Sequence, residues 1–306
     1  MFKHLLIPLD GSRLAEAALP PAACLAKTLG AAVTLIHVIE RNAPQEIHGQ
    51  PHLTDPAAAA VYLDQVRARA FPADVHVETH VHTTEVGNVA RSLVEHAAEL
   101  RPDLIVMCTH GRRGLRGWLF GSIAQQVVGL DATPVLLVRP SETAAAAPFE
   151  CRLLLVPLDG ISAHEEGLCV GSALAQACGA ALHMVMVVPT LATLLGEKAG
   201  TGKLLPGATA AMLDNAQQGA DEYLGRFVTQ LTNSGLAVTS EVARGDPTTI
   251  IVDSAERLGA SMTVMATHGK TGMNAFWSGS VAPKVFSRTN IPLLLVPVRD
   301  TVGNIG

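Results

Sequence analysis

Two stretches of this 306-residue chain combine glycines, a histidine and a hydroxyl at spacings that suit an anion. The first is Thr109-His110-Gly111-Arg112-Arg113-Gly114, which runs on to Gly121-Ser122-Ile123-Ala124. The second is Thr267-His268-Gly269-Lys270-Thr271-Gly272, which runs on to Gly279-Ser280-Val281-Ala282. Nine residues separate Gly111 from Gly121, and nine separate Gly269 from Gly279. A glycine loop that opens a helix can aim several backbone N–H groups at one ligand, with the positive end of the helix dipole behind them, and phosphate is the natural guess. Arg112, Arg113 and Arg116 add cationic charge in the first copy, and Lys270 in the second.

The loops need elements to hold them. An apolar run precedes each, residues 104–107 and 262–265, and reads as a buried strand. Residues 123–130 and 281–286 read as the start of a helix, with Ser122 or Ser280 suited to its N-cap. Further upstream, Leu5-Leu6-Ile7-Pro8-Leu9-Asp10-Gly11 returns 149 positions later as Leu154-Leu155-Val156-Pro157-Leu158-Asp159-Gly160. The halves are repeats. Each is expected to begin with a strand ending in Asp-Gly, followed by a small-residue helix over 15–29 or 165–178 that Gly30 or Gly179 terminates. A second strand over 33–39 or 182–188 follows. The copies then diverge, with a helix from Asp55-Pro56 to Phe71 in the first and a longer insertion with a helix over 214–231 in the second. A third strand (75–81; 237–242), a third helix (87–99; 247–258) and a final strand (135–138; 293–296) complete the pattern.

This alternation implies an α/β fold: two flavodoxin-like, Rossmann-like parallel sheets of five strands, helices on both faces, joined by right-handed crossovers. The expected domains are 1–140 and 151–300, with 141–150 as a short alanine-rich linker. In such sheets ligands bind at the carboxyl ends of strands where the winding reverses, so an order of 3-2-1-4-5 makes Asp10 or Asp159 the neighbour of its own glycine loop.

Composition narrows the partners. A net charge of −5 offers no general affinity for a phosphate backbone, so no nucleic-acid partner is expected. The five cysteines are scattered and form no C-x-x-C pair, which indicates neither a disulfide framework nor a zinc knuckle and points to a reducing, cytoplasmic setting. The stretch 169–189 holds no formal charge, but Gly179 divides it, and helix, turn and strand fit it better than a membrane span. His76, Glu78, His80 and His82 alternate along the third strand and share one face if it is regular, an arrangement that suits a metal or, more simply, a half-wet edge strand.

A strand ending in Pro-x-Asp, a second strand ending near Val38 or Val187, and Thr-His-Gly followed after nine residues by Gly-Ser-hydrophobic-Ala together resemble the universal stress protein family. The resemblance covers nearly the whole chain as two tandem copies. It implies ATP or another adenine nucleotide in the crevice, with Mg2+ carried by the phosphates. In the first repeat it assigns Pro8, Leu9, Asp10 and Val38 to the adenosine end and Met107, His110, Gly111 and Arg112 to the ribose and phosphates. Gly121, Ser122, Ile123 and Ala124 then cradle the phosphates. The matching positions in the second repeat are Pro157, Leu158, Asp159, Val187, Met265, His268, Gly269, Gly279, Ser280, Val281 and Ala282. The family motif opens with a glycine three residues before that of Thr-His-Gly, and here Cys108 and Ala266 stand there, each adding a Cβ.

The resemblance also implies pairing of the two final strands as an intrachain pseudo-dimer, association of two tandem chains as a homodimer, and a role as a stress-response sensor or regulator; no protein partner is identified. Neither repeat sets a nucleophile beside an obvious base, so catalysis extends at most to weak ATP hydrolysis. Two other readings stay open: a nucleotide-free interaction scaffold with degenerate pockets, and a hydrolase or phosphotransferase using His110 or His268. Asp10 and Asp159 have a bland role too, as caps of the helices that follow them.

Overall fold

The computed structural model describes residues 1–47, 50–109, 113–114, 117–118, 122–130, 133–140, 148–194, 200, 204–268 and 281–298. The first half of the chain runs β1 (His4–Pro8), α1 (Leu19–Leu29), β2 (Ala32–Glu40), α2 (Pro56–Ala70), β3 (Val77–Val86), α3 (Val89–Leu100), β4 (Leu104–Cys108), α4 (Ser122–Leu130) and β5 (Val135–Val138). The second runs β6 (Leu153–Leu158), α5 (Glu165–Cys178), β7 (Ala181–Val188), α6 (Pro206–Asn233), β8 (Val238–Arg244), α7 (Pro247–Arg257), β9 (Met262–His268), α8 (Val281–Arg288) and β10 (Leu293–Val298). Two compact units result, one of Met1–Glu150 with β10, the other of Cys151–Thr267 with α8.

In unit 1 the order is β3-β2-β1-β4-β5, all parallel. Beyond β5 lies β10, antiparallel to it, with Leu293 opposite Leu137 and Leu295 opposite Val135. In unit 2 the order is β8-β7-β6-β9, again parallel. Helices cover both faces of such a sheet, so its central strands carry no polar face and read as unbroken apolar runs. Leu5, Leu6 and Ile7 of β1 and Leu136 and Leu137 of β5 are accordingly fully buried. Each contributes roughly 1.5–3 kcal/mol relative to an exposed position.

The helix ends obey local chemistry. Asp55 accepts from the Ala58 N–H at 2.7 Å ahead of Pro56, and Asp246 accepts from the Thr249 N–H at 2.9 Å ahead of Pro247. Gly30 and Gly179 close α1 and α5 in the left-handed conformation, at φ of 60° and 63°.

Several boundaries differ from expectation. The first helix begins at Leu19, not at residue 15, because Pro20 and Pro21 lack an N–H and fit only its first turn; Ala15–Ala18 form a 3-10 turn instead. The insertion of the second repeat yields a longer helix than 214–231, since Pro206 starts α6 and its 28 residues reach Asn233. Strand β3 extends to Val86, with a register shift against β2 between Val38 and Glu40. Ser122 is the first residue of α4 rather than its cap. Neither Asp10 nor Asp159 caps a helix: each turns back on the N–H two residues ahead, Ser12 at 2.8 Å and Ile161 at 3.0 Å.

Candidate functional site

Strands β1 and β4 are neighbours in unit 1, yet the chain leaves them in opposite directions across the sheet, so a gap opens at their carboxyl ends. A cavity of about 470 Å3 occupies that gap. The end of β1 supplies Pro8, Leu9 and Asp10; the end of β2 supplies Ile36, His37, Val38 and Glu40; and the end of β4 supplies Met107, Cys108 and Thr109. Val89 and Leu93 of α3 and Ile123 and Ala124 of α4 close one side. Ala15 and, from the segment after β2, Pro44, Ile47 and His52 close the rest.

That segment is tied down at several points. The Arg13 N–H donates to Gln50 Oε1 at 2.8 Å, and His52 Nδ1 donates to the Pro44 carbonyl at 3.2 Å. His37, only 1% exposed, spans the gap between β1 and the segment: Nδ1 lies 2.8 Å from the Leu9 carbonyl and Nε2 lies 2.9 Å from the Leu53 carbonyl. Both partners are main-chain carbonyls, so a ring nitrogen that carries a proton donates to the carbonyl it faces. Gly11 allows the closure. Its φ is +88°, and a Cβ there would lie 2.6 Å from Leu53 Cδ1.

The walls are mostly apolar, with the Asp10 and Glu40 carboxylates, His37, His52 and Thr109 as polar groups. Cys108 is buried, and its thiol is pushed far above the ordinary range by that burial and then by the Asp10 charge. It is therefore a filler of space rather than a nucleophile.

Of the positions assigned in the first repeat, Pro8, Leu9, Asp10, Val38, Met107, Ile123 and Ala124 line this one cavity. The main chain of Ser122 opens α4, while His110, Gly111, Arg112 and Gly121 lie outside the described residues. Sequence reasoning missed Ala15, Ile36, His37, Glu40, Pro44, Ile47, His52, Val89, Leu93 and Thr109 as lining residues. His37 was the legible one among them, since a histidine within a buried strand demands polar partners.

In unit 2, β6 lies between β7 and β9, so Pro157, Leu158 and Asp159 end beside Val187 and Met265. Val281 and Ala282 begin α8. His268 is the last residue of β9, and Gly269, Gly279 and Ser280 lie outside the described residues. Asp159 is engaged here: Oδ2 accepts from His164 Nδ1 at 2.7 Å, while Oδ1 accepts from the Ile161 N–H. The helix α5 approaches β9 closely, for a Cβ at Gly167 would lie 2.9 Å from the Ala266 nitrogen.

The alternating residues His76, Glu78, His80 and His82 separate into two pairs, with His76 just ahead of β3. His76 and Glu78 are exposed and meet at 3.2 Å, whereas the rings of His80 and His82 pack on His96 of α3 at 4.9 and 4.8 Å. His96 Nδ1 donates to the Ser92 carbonyl at 2.7 Å. No three His, Cys, Asp or Glu side chains among the described residues form a group that could hold a metal ion. Among the described residues, no helix is long and apolar enough to cross a membrane.

The model of the universal stress protein family matches the chain twice, over residues 1–139 and 151–297. A universal stress protein of Mycolicibacterium smegmatis is 27% identical over 314 residues, spanning 96% of this chain and 97% of its own length. One from Synechocystis is 30% identical over 138 residues, which is 45% of this chain and 86% of the relative. Among solved structures, a universal stress protein from Archaeoglobus fulgidus superposes with a TM-score of 0.65 at 15% identity, covering 97% of both chains. The chain belongs to the universal stress protein family and carries its domain twice.

Proposed function

We propose that the crevice of unit 1 binds an adenine nucleotide, ATP above all, and that the protein acts as a stress-response sensor or regulator rather than as a fast enzyme. One observation carries this reading: a largely apolar cavity of about 470 Å3 at the switch point of the sheet, with Asp10 at its edge. The residues present fit such a ligand. Ile36, Val38 and Met107 offer apolar walls for a base, and the Asp10 carboxylate is an acceptor for ribose hydroxyls. The phosphates would then reach the N-terminus of α4, with His110, Gly111, Arg112, Gly121 and Ser122 proposed to hold them. Mg2+ would enter with the phosphates and offset part of their negative charge.

For the second repeat we propose the same positions, from Asp159 to Ala282, as a weaker site. Its aspartate already holds His164, and Pro189 stands where the first repeat has Glu40. One nucleotide per chain is the expected stoichiometry. Domains over 1–140 and 151–300, a cytoplasmic setting and a homodimer of tandem chains complete the proposal.

Heating or acidifying the freshly purified protein and identifying what it releases by mass spectrometry tests this reading without a prior choice of ligand. An adenine nucleotide near one per chain is expected. Asp10→Asn, which keeps an acceptor for the Ser12 N–H but removes the charge, is expected to weaken binding about tenfold. If nothing is released and added ATP leaves the melting temperature unchanged, the proposal fails. A nucleotide-free scaffold then takes its place, the reading that Cys108 favours because its side chain lines the crevice.

A further inference from the structure

Cys151 and Cys178 are 27 positions apart in the chain and meet in unit 2. Cys151 stands two residues before β6, and Cys178 is the last residue of α5. The parallel register brings these ends together: Leu153 is opposite Ala181, and the Ala181 N–H donates to the Arg152 carbonyl at 2.9 Å. Within that contact the Cys151 thiol donates a hydrogen bond to the Cys178 sulfur. Neither is in a disulfide; Cys151 is buried and Cys178 half-buried.

We propose that Cys151 and Cys178 are a reversible dithiol–disulfide pair, oxidised by hydrogen peroxide and reset by a thiol reductant. The hydrogen bond from Cys151 favours the Cys178 thiolate and holds it below the ordinary thiol range, against the opposing effect of burial. Cys169 and Cys108 are pushed the other way, chiefly by burial and then by neighbouring carboxylates. Cys178, half-buried where Cys151 is buried, is the sulfur that peroxide reaches and is the attacking one. Its thiolate displaces hydroxide from hydrogen peroxide, breaking the O–O bond and leaving a sulfenic acid. The Cys151 sulfur then attacks the Cys178 sulfur, its proton leaves with the second oxygen as water, and the S–S bond closes. Two electrons pass from the pair to the peroxide. The bond staples the entry of β6 to the end of α5, so the oxidised unit 2 is the more resistant to unfolding.

The test is made on the full chain without substitution. The reduced protein is exposed to hydrogen peroxide, the remaining thiols are alkylated, and intact mass is combined with non-reducing peptide mapping. The expected product carries two fewer alkyl groups than the reduced control treated alike, yields a Cys151–Cys178 crosslinked peptide, and reverts with dithiothreitol. Its melting temperature is higher than that of the reduced chain. Cys151→Ser is expected to leave Cys178 as a sulfenic acid that a dimedone probe labels, a signal that a merely structural contact would not give. Cys151 and Cys178 both still alkylatable after peroxide, or a disulfide through Cys24, Cys108 or Cys169 in their stead, overturns the proposal.

Discussion

His37 offers a direct test of how the crevice is held, because its replacement is already present in the other repeat. Met186 stands 149 positions later, at the equivalent place in β7, where it is partly buried against the cluster of Val188, Leu194, Leu213 and Ala220. His37→Met therefore exchanges the ring for a flexible side chain that this fold accepts at this strand position, and what it removes is the ring's polar contact with two main-chain carbonyls. The Leu9 carbonyl, whose bond is buried, would be left bare, at a cost of about 1–3 kcal/mol. The Leu53 carbonyl is only part-buried, so water replaces some of its loss and the cost there is about 1 kcal/mol or less. The sum is roughly 1–4 kcal/mol, with a middle value near 2. For a unit of this size, with a urea dependence of about 2 kcal/mol per molar, the denaturation midpoint followed by circular dichroism should fall by about 1 M.

The same substitution should also act locally. The segment between β2 and α2 is held to β1 by His37 and to Arg13 by Gln50, so limited proteolysis should cut the variant faster within residues 41–55. A midpoint within about 0.2 M of the parent, or a loss of stability without faster cleavage in that segment, would refute the idea that the ring buckles the crevice shut.

Acid should weaken the protein through two histidines. Burial first, and then the charges of His96 and His82, hold His80 below its ordinary value of 6.5 despite Glu99; burial likewise lowers His183 despite Glu241. The unfolded chain takes up protons at about 6.5 while the native state declines them, so stability falls as pH drops below that value and is regained above it. Urea midpoints at pH 7.5 and 5.5 should show the loss, and His80→Gln should reduce it; equal slopes in both proteins would sink the assignment. Gly11→Ala should cost more than 1 kcal/mol, because its φ of +88° is strained for alanine and its new Cβ would meet Leu53 Cδ1 at 2.6 Å. Displacing Leu53 should also weaken nucleotide binding, and an unaltered melting temperature together with unaltered affinity would contradict the close approach.

Strands were the most legible part of this chain, since a central parallel strand announces itself in four or five consecutive apolar residues, as residues 5–9 and 104–107 do. Repetition at a fixed offset then gave the domain plan. Contacts that depend on distant register were not legible. Pro44, Ile47 and His52 reach the crevice only because Gln50 and Leu53 bond to Arg13 and His37, pairings with no local signature. Cys151 and Cys178 form no motif, and only the register of β6 on β7 brings them together. The contact of His96 with His80 and His82 likewise needs α3 to pack on β3 and has no local signature. The Pro20-Pro21 pair was readable as a helix start and was passed over in favour of the alanines before it.

Comparing equivalent positions separates scaffold from site. Glu16 accepts from Tyr62 Oη at 3.1 Å in unit 1, and Glu165 accepts from Tyr223 Oη at 2.9 Å in unit 2. Each bond links the start of the first helix region to the long helix after the second strand, and each tyrosine is pushed far above its ordinary value chiefly by burial. These ties are the same in both repeats because the packing of those helices needs them. At the crevice edge the chemistry changes: Ala15 becomes His164, His37 becomes Met186, and Glu40 becomes Pro189. The first exchange gives Asp159 an internal partner, and the second removes the ring that bonds two main-chain carbonyls. The tyrosine–glutamate ties of the helices are kept in both repeats, whereas these three differences fall at the edge of the proposed crevice, which is why the second site is proposed as the weaker one.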